Sequence, residues 1–131
     1  MLLAILSIGG ILGTLGRYYL SRTIQNAGFV QKLFGYHFPM GIFCVNILGC
    51  FFAGIVYALE EIEPYPLVLF LFTGILGAFT TFSTFGLESF NLIREGEIKY
   101  AVINILASNI AGIALVFIGY IASKYLFILL R

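Results

Sequence analysis

The sequence predicts an all-α integral membrane protein of four transmembrane helices, and three observations carry that prediction. Of its 131 residues, 61% are hydrophobic. Only 10% are charged, with seven Lys and Arg against six Asp and Glu, where a soluble domain carries roughly a quarter of charged residues to cover its surface. The apolar residues also gather into four runs of about 20 residues, the length that crosses a bilayer core.

The first run covers residues 2–20, and its start, Met-Leu-Leu-Ala-Ile-Leu, has no basic n-region and no small-residue cleavage site. It therefore reads as a retained span, not a cleaved signal. The second covers residues 38–59, the third 66 to about 90, and the fourth 100 to about 123. Turn formers and charges separate them: Arg22, Gly28, Lys32, Gly35 and Pro39, then the Glu- and Pro-rich residues 60–66, then Arg94, Glu95, Gly96 and Glu97. Most of the eight Tyr fall near span ends, where an amphipathic ring suits the headgroup layer. Residues 1–131 are read as a single four-helix domain without repeats or low-complexity tracts. Loop charges give five Lys and Arg on one side (Arg17, Arg22, Lys32, Arg94, Lys99) and two on the other (Lys124, Arg131). This bias does not choose one orientation, because Arg17 can sit within the membrane and Lys124 can snorkel.

Composition also excludes function classes. A net charge of +1 offers no field for nucleic acid. With no Asp, one His and two Cys, the chain lacks the side chains that build metal or triad sites, so no enzyme is expected. Cys44 and Cys50, six apart on a helix, are separated by about 9 Å of rise, too far for a disulfide. They read as packing residues. His37 reads as interfacial.

The informative residues are the polar ones inside apolar spans, because each needs protein or water as a partner. Arg17 follows a run in which Gly9 and Gly13 lie four apart, and it fits either an interfacial Arg beside a packing seam or a functional charge. Asn46, in the second span, suits a bond across helices or donation to an anion. Asn104, Ser108 and Gly112 share one face of the fourth span, as packing glue or as a wet wall. In the third span, residues 73–88 crowd Thr80, Thr81, Ser83 and Thr84 among glycines and phenylalanines. Such a run makes a poor straight helix and predicts a break near mid-span, with freed carbonyls that must face protein, water or an ion, and that a cation would satisfy. Phe82 and Phe85 would be ordinary packing residues in another context; beside these hydroxyls their ring edges suit an anion in a dry pore. The one acid near the spans, Glu88, reads as a helix-end partner for an Arg.

Three motifs make the chain resemble the small fluoride channels called Fluc or CrcB over nearly its whole length. They are Gly-Arg-Tyr at 16–18, Val-Asn-Ile-Leu-Gly at 45–49 and Gly-Ala-Phe-Thr-Thr-Phe-Ser-Thr-Phe at 77–85. The resemblance implies a dual-topology homodimer of antiparallel subunits in the inner (plasma) membrane, enclosing two fluoride pores. It implies that Phe82, Phe85, Asn46 and Ser108 line the pores, with the hydroxyls of Thr81 and Ser83 counted among them. It further implies that the carbonyls of Gly77 and Thr80 hold a central sodium ion, and that Arg17 belongs to the first-span motif. The chain departs from the family pattern at Ile42, where Thr is common, and at Asn104, where Tyr is common. The implied activity is passive fluoride efflux that relieves fluoride toxicity. The alternative is a small multidrug or cation transporter, which would be expected to carry a carboxylate in its first span; this chain has none there.

Overall fold

The computed structural model describes residues 2–34, 38–60 and 64–129. Gly35, His37, residues 61–63 and Arg131 lie outside the described residues. The chain begins with α1 (Leu2–Gln25), α2 (Gly28–Phe34) and α3 (Met40–Leu59). It continues through α4 (Tyr65–Leu69), a π-helical segment (Phe70–Leu76), α5 (Gly77–Phe79) and α6 (Phe82–Arg94) to α7 (Ile98–Leu129). Four stretches, Leu2–Gln25, Met40–Leu59, Tyr65–Arg94 and Ile98–Leu129, are long and apolar enough to cross a membrane.

The four expected spans are therefore present, and three of them run about a turn or more past their apolar ends. The extra residues include Arg22 and Gln25, which continue the helix's own hydrogen bonds while keeping polar side chains. The first connection also contains α2, where the sequence suggested only a turn. Seven residues are too few to show a helical period, and the buried Val30 side chain anchors the element by packing.

Small residues set the helix spacing. A Cβ added at Gly9 would stand 2.7 Å from the Gly74 Cα, and one at Gly13 would strike the Ile75 carbonyl oxygen. The Gly9 and Gly13 pair thus forms a backbone-to-backbone seam between α1 and the π segment of the third span. The most extensive helix pair is α3 with α7. Buried side chains are mostly small, among them Val45, Val56, Ala58 and Ala101, whereas Ile8, Leu12, Phe117 and Leu126 are exposed. An apolar outer surface of this kind is what a lipid solvent favours. Cys44 and Cys50 are free and half-buried, in keeping with packing roles.

Carboxamides tie the elements together. Helix α3 opens at Pro39 without a side-chain cap of its own, and Gln25 at the end of α1 supplies one, its Oε1 accepting from Gly41 N–H at 2.9 Å. The same amide donates through Nε2 to the Phe38 carbonyl at 3.1 Å. One side chain thereby satisfies a donor of the helix start and an acceptor of the entering chain. At the other end of α6, the N–H groups of Gly96 and Glu97 bond the carbonyls of Ile93 and Leu92 at 3.1 and 2.8 Å. That is a Schellman ending, and it requires the positive φ of 82° found at Gly96.

Candidate functional site

Helix α5 stops at Phe79 and α6 starts at Phe82; between them Thr80 (φ −83°, ψ 153°) and Thr81 (φ −149°, ψ 111°) are extended. Two backbone groups of Thr81 would be orphaned by this conformation, and Asn46 on α3 takes both. Its Oδ1 accepts from Thr81 N–H at 2.9 Å, and its Nδ2 donates to the Thr81 carbonyl at 3.2 Å. A side-chain amide here pairs with a peptide as a neighbouring strand would. A carboxamide has two N–H donors, so one remains.

Thr81 is also the N-cap of α6. Its Oγ1 accepts from Thr84 N–H at 3.3 Å and lies 3.0 Å from Thr84 Oγ1 and 3.3 Å from Ser83 Oγ. These bonds redirect two helix donors. The N–H groups of Thr81 and Thr84, four residues after Gly77 and Thr80, point to Asn46 and to the Thr81 hydroxyl instead of those two carbonyls.

A cavity of about 340 Å³ lies against this turn. Its wall includes Asn46, Gly77, Thr80, Thr81, Phe82, Phe85 and Ser108. The rings of Phe82 and Phe85 stand 5.6 Å apart at 43°, and Phe82 is 84% exposed on the single chain. No Asp, Glu, Lys, Arg or His lines this cavity among the described residues. A second cavity, about 470 Å³, carries charged and polar side chains on its wall, those of Arg22, Gln25, Thr84, Glu88, Asn91 and Glu95. The cavities adjoin through one hydroxyl pair, since Thr84 lines one, Thr81 lines the other, and their oxygens are 3.0 Å apart.

Most of the residues singled out in the sequence thus come together on one wall. Ser83 is exposed, lines neither cavity and reaches the wall only through Thr81. Arg17 is half-buried on α1 and also lines neither. Glu88 differs from its expected pairing: its Oε2 is buried with no hydrogen-bond partner among the described residues. Sequence reasoning missed Thr84 as the link between cavities and Ser89 as a buried polar residue. A threonine directly ahead of a helix is an N-cap signal; it points to Thr81 and, through the N–H three residues on, to Thr84.

The family profile described as CrcB-like protein, Camphor Resistance (CrcB), matches residues 4–120. A fluoride-specific ion channel FluC of Parabacteroides distasonis is 39% identical over 129 residues, 97% of this chain and 96% of the relative. Proteins of the same name from Nitrosococcus oceani and Aquifex aeolicus are each 40% identical, over 93% and 92% of this chain and 95% and 94% of theirs.

Proposed function

Because this chain belongs to the CrcB family, whose relatives above are fluoride-specific ion channels, we propose that it conducts fluoride passively out of the cytoplasm through the inner membrane. It is a channel and not an enzyme. The observation that carries the reading is the character of the smaller cavity: an apolar wall with hydroxyls, the two carboxamides of Asn46 and Asn109 and phenyl rings, and no charged side chain among the described residues. Fluoride is small and tightly hydrated, so a path that admits it must replace water with donors at close range. The remaining Asn46 N–H, the wall hydroxyls and the positive ring edges of Phe82 and Phe85 supply them. A carrier driven by protons or organic cations needs a carboxylate in the path, and none faces this cavity among the described residues. A cytoplasm negative inside drives the anion outward.

The path is completed by a second, antiparallel copy. Phe82, on the cavity wall, stands exposed on the single chain, so that wall lacks its opposing side. The residues also fit a sodium ion, since the Gly77 and Thr80 carbonyls have lost the donors of a regular helix and hard oxygen ligands suit such a cation. When bound, the ion supplies a positive charge near the path and a tie between subunits. Gly77 and Thr80 would hold it, while Asn46 and the Thr81 hydroxyl draw away the N–H groups that would otherwise occupy those carbonyls.

Purified protein in liposomes is expected to release fluoride, read by an electrode, without releasing chloride and without a proton gradient. Equal flux of both anions, or dependence on a proton gradient, would reject the reading. For the antiparallel copy, Glu60→Cys on a background lacking Cys44 and Cys50 is expected to be about half accessible to an impermeant thiol reagent from one side. Labelling near zero or complete in active vesicles would reject it.

A further inference from the structure

We infer that Asn104 is a positioning residue that sets the direction of the Ser108 hydroxyl proton and thereby the ease with which that hydroxyl meets an anion. This rests on the proposed path, of which Ser108 is part of the wall. Asn104 is 1% exposed and stands with Val30 and Val45 among the largest fully buried side chains. A carboxamide at that depth needs partners on both sides.

Its partners form a chain with one possible polarity. Ser89 Oγ lies 2.8 Å from the Phe85 carbonyl, which has no proton to give, so Ser89 donates there. Ser89 has only one proton. Towards Asn104, 3.0 Å away, it can therefore only accept, which turns the amide NH2 to Ser89 and the amide oxygen to Ser108. Ser108 Oγ lies 3.5 Å from that Oδ1 and donates to it. The proton order from the cavity wall to the backbone of a cavity-lining Phe is fixed by a single carbonyl.

Ser108 departs from three other hydroxyls that follow a turn of helix. Thr23, Thr80 and Ser89 each bond the carbonyl four residues back, at 2.8, 3.0 and 2.8 Å. That is the ordinary resting place of a helical hydroxyl. Asn104 instead draws the Ser108 proton to a side-chain oxygen at a distance where the bond is weak. A proton held that loosely passes to an anion with little loss, whereas one on a backbone carbonyl must first be withdrawn. Asn104 therefore acts most where the anion is scarce.

The test is fluoride efflux from liposomes at low and at high internal fluoride, for Asn104→Leu and Ser89→Ala beside the unaltered protein. Asn104→Leu leaves Ser108 free to bond the carbonyl of residue 104. It is expected to reduce efflux about fivefold at low fluoride and less than about twofold at high fluoride, within the range of measured couplings between touching residues. Ser89→Ala, which lies outside both cavities, unfixes the amide and is expected to shift the concentration dependence in the same direction. It carries the test if Asn104→Leu fails to assemble. The same proportional loss at both concentrations, or none in either variant, would mean that the carboxamide only clamps α6 to α7, and would overturn the inference. No fluoride efflux from the unaltered protein would instead overturn the proposed function, so the two failures are distinguishable.

Discussion

Asn46→Asp is expected to lower fluoride efflux to that of liposomes without protein while leaving the assembled protein intact. An aspartate keeps an oxygen for Thr81 N–H, so the donor of the extended pair stays satisfied. It loses both N–H donors, the one that holds the Thr81 carbonyl and the one left for an anion. It also puts a negative charge on a wall that has none. At about 4 Å and an effective dielectric of about 20, two like charges repel by about 4 kcal/mol, roughly a thousandfold in anion occupancy. Asn46→Leu separates this from folding. It leaves both backbone groups of Thr81 unpaired, at about 1–3 kcal/mol each, so thermal stability in detergent should fall together with flux. Efflux equal to the unaltered protein in well-assembled Asn46→Asp would remove Asn46 from the path.

Phe82→Ile and Phe85→Ile are each expected to reduce fluoride efflux at least about tenfold with the elution volume on gel filtration unchanged. Isoleucine preserves an apolar side chain and removes the ring quadrupole, so the substitution tests electrostatics separately from greasiness. The two ring centroids are 5.6 Å apart on one turn of α6, a contact of about 0.5–1.5 kcal/mol whose loss the helix can absorb. Stability should therefore move little and flux much. Unaltered efflux in both variants would return the two residues to packing roles, and the hydroxyl wall would have to carry the anion by itself.

Glu88 shows how the surroundings of a residue escape a linear reading. Its position past the hydroxyl run suggested a helix-end ion pair, yet on the wall of the larger cavity the fold buries one of its oxygens without a partner among the described residues. Arg22, from α1, lines the same cavity, so the two are gathered by tertiary packing and not by any local spacing.

What the sequence by itself determined is the helical architecture and the order of the spans. Lipid leaves backbone groups no solvent partner, so four apolar runs of spanning length have to be helices, and glycines four apart on one face have to be contacts. The crowding of hydroxyls and rings in residues 73–88 was equally legible, because those residue types stand out in any apolar run. Which residues satisfy which was decided only by the tertiary structure. The Asn46 amide meets the Thr81 peptide across 35 positions of sequence, and the Asn104 amide meets Ser89 across 15. The same holds for the short helix α2, which stands on the burial of Val30, and for Ser83 and Arg17, which the fold places off the cavity walls. Periodicity reports which face of a helix is polar; it carries no information about what the neighbouring helix brings to that face, and hydrogen bonds between helices are made only once packing has chosen their partners.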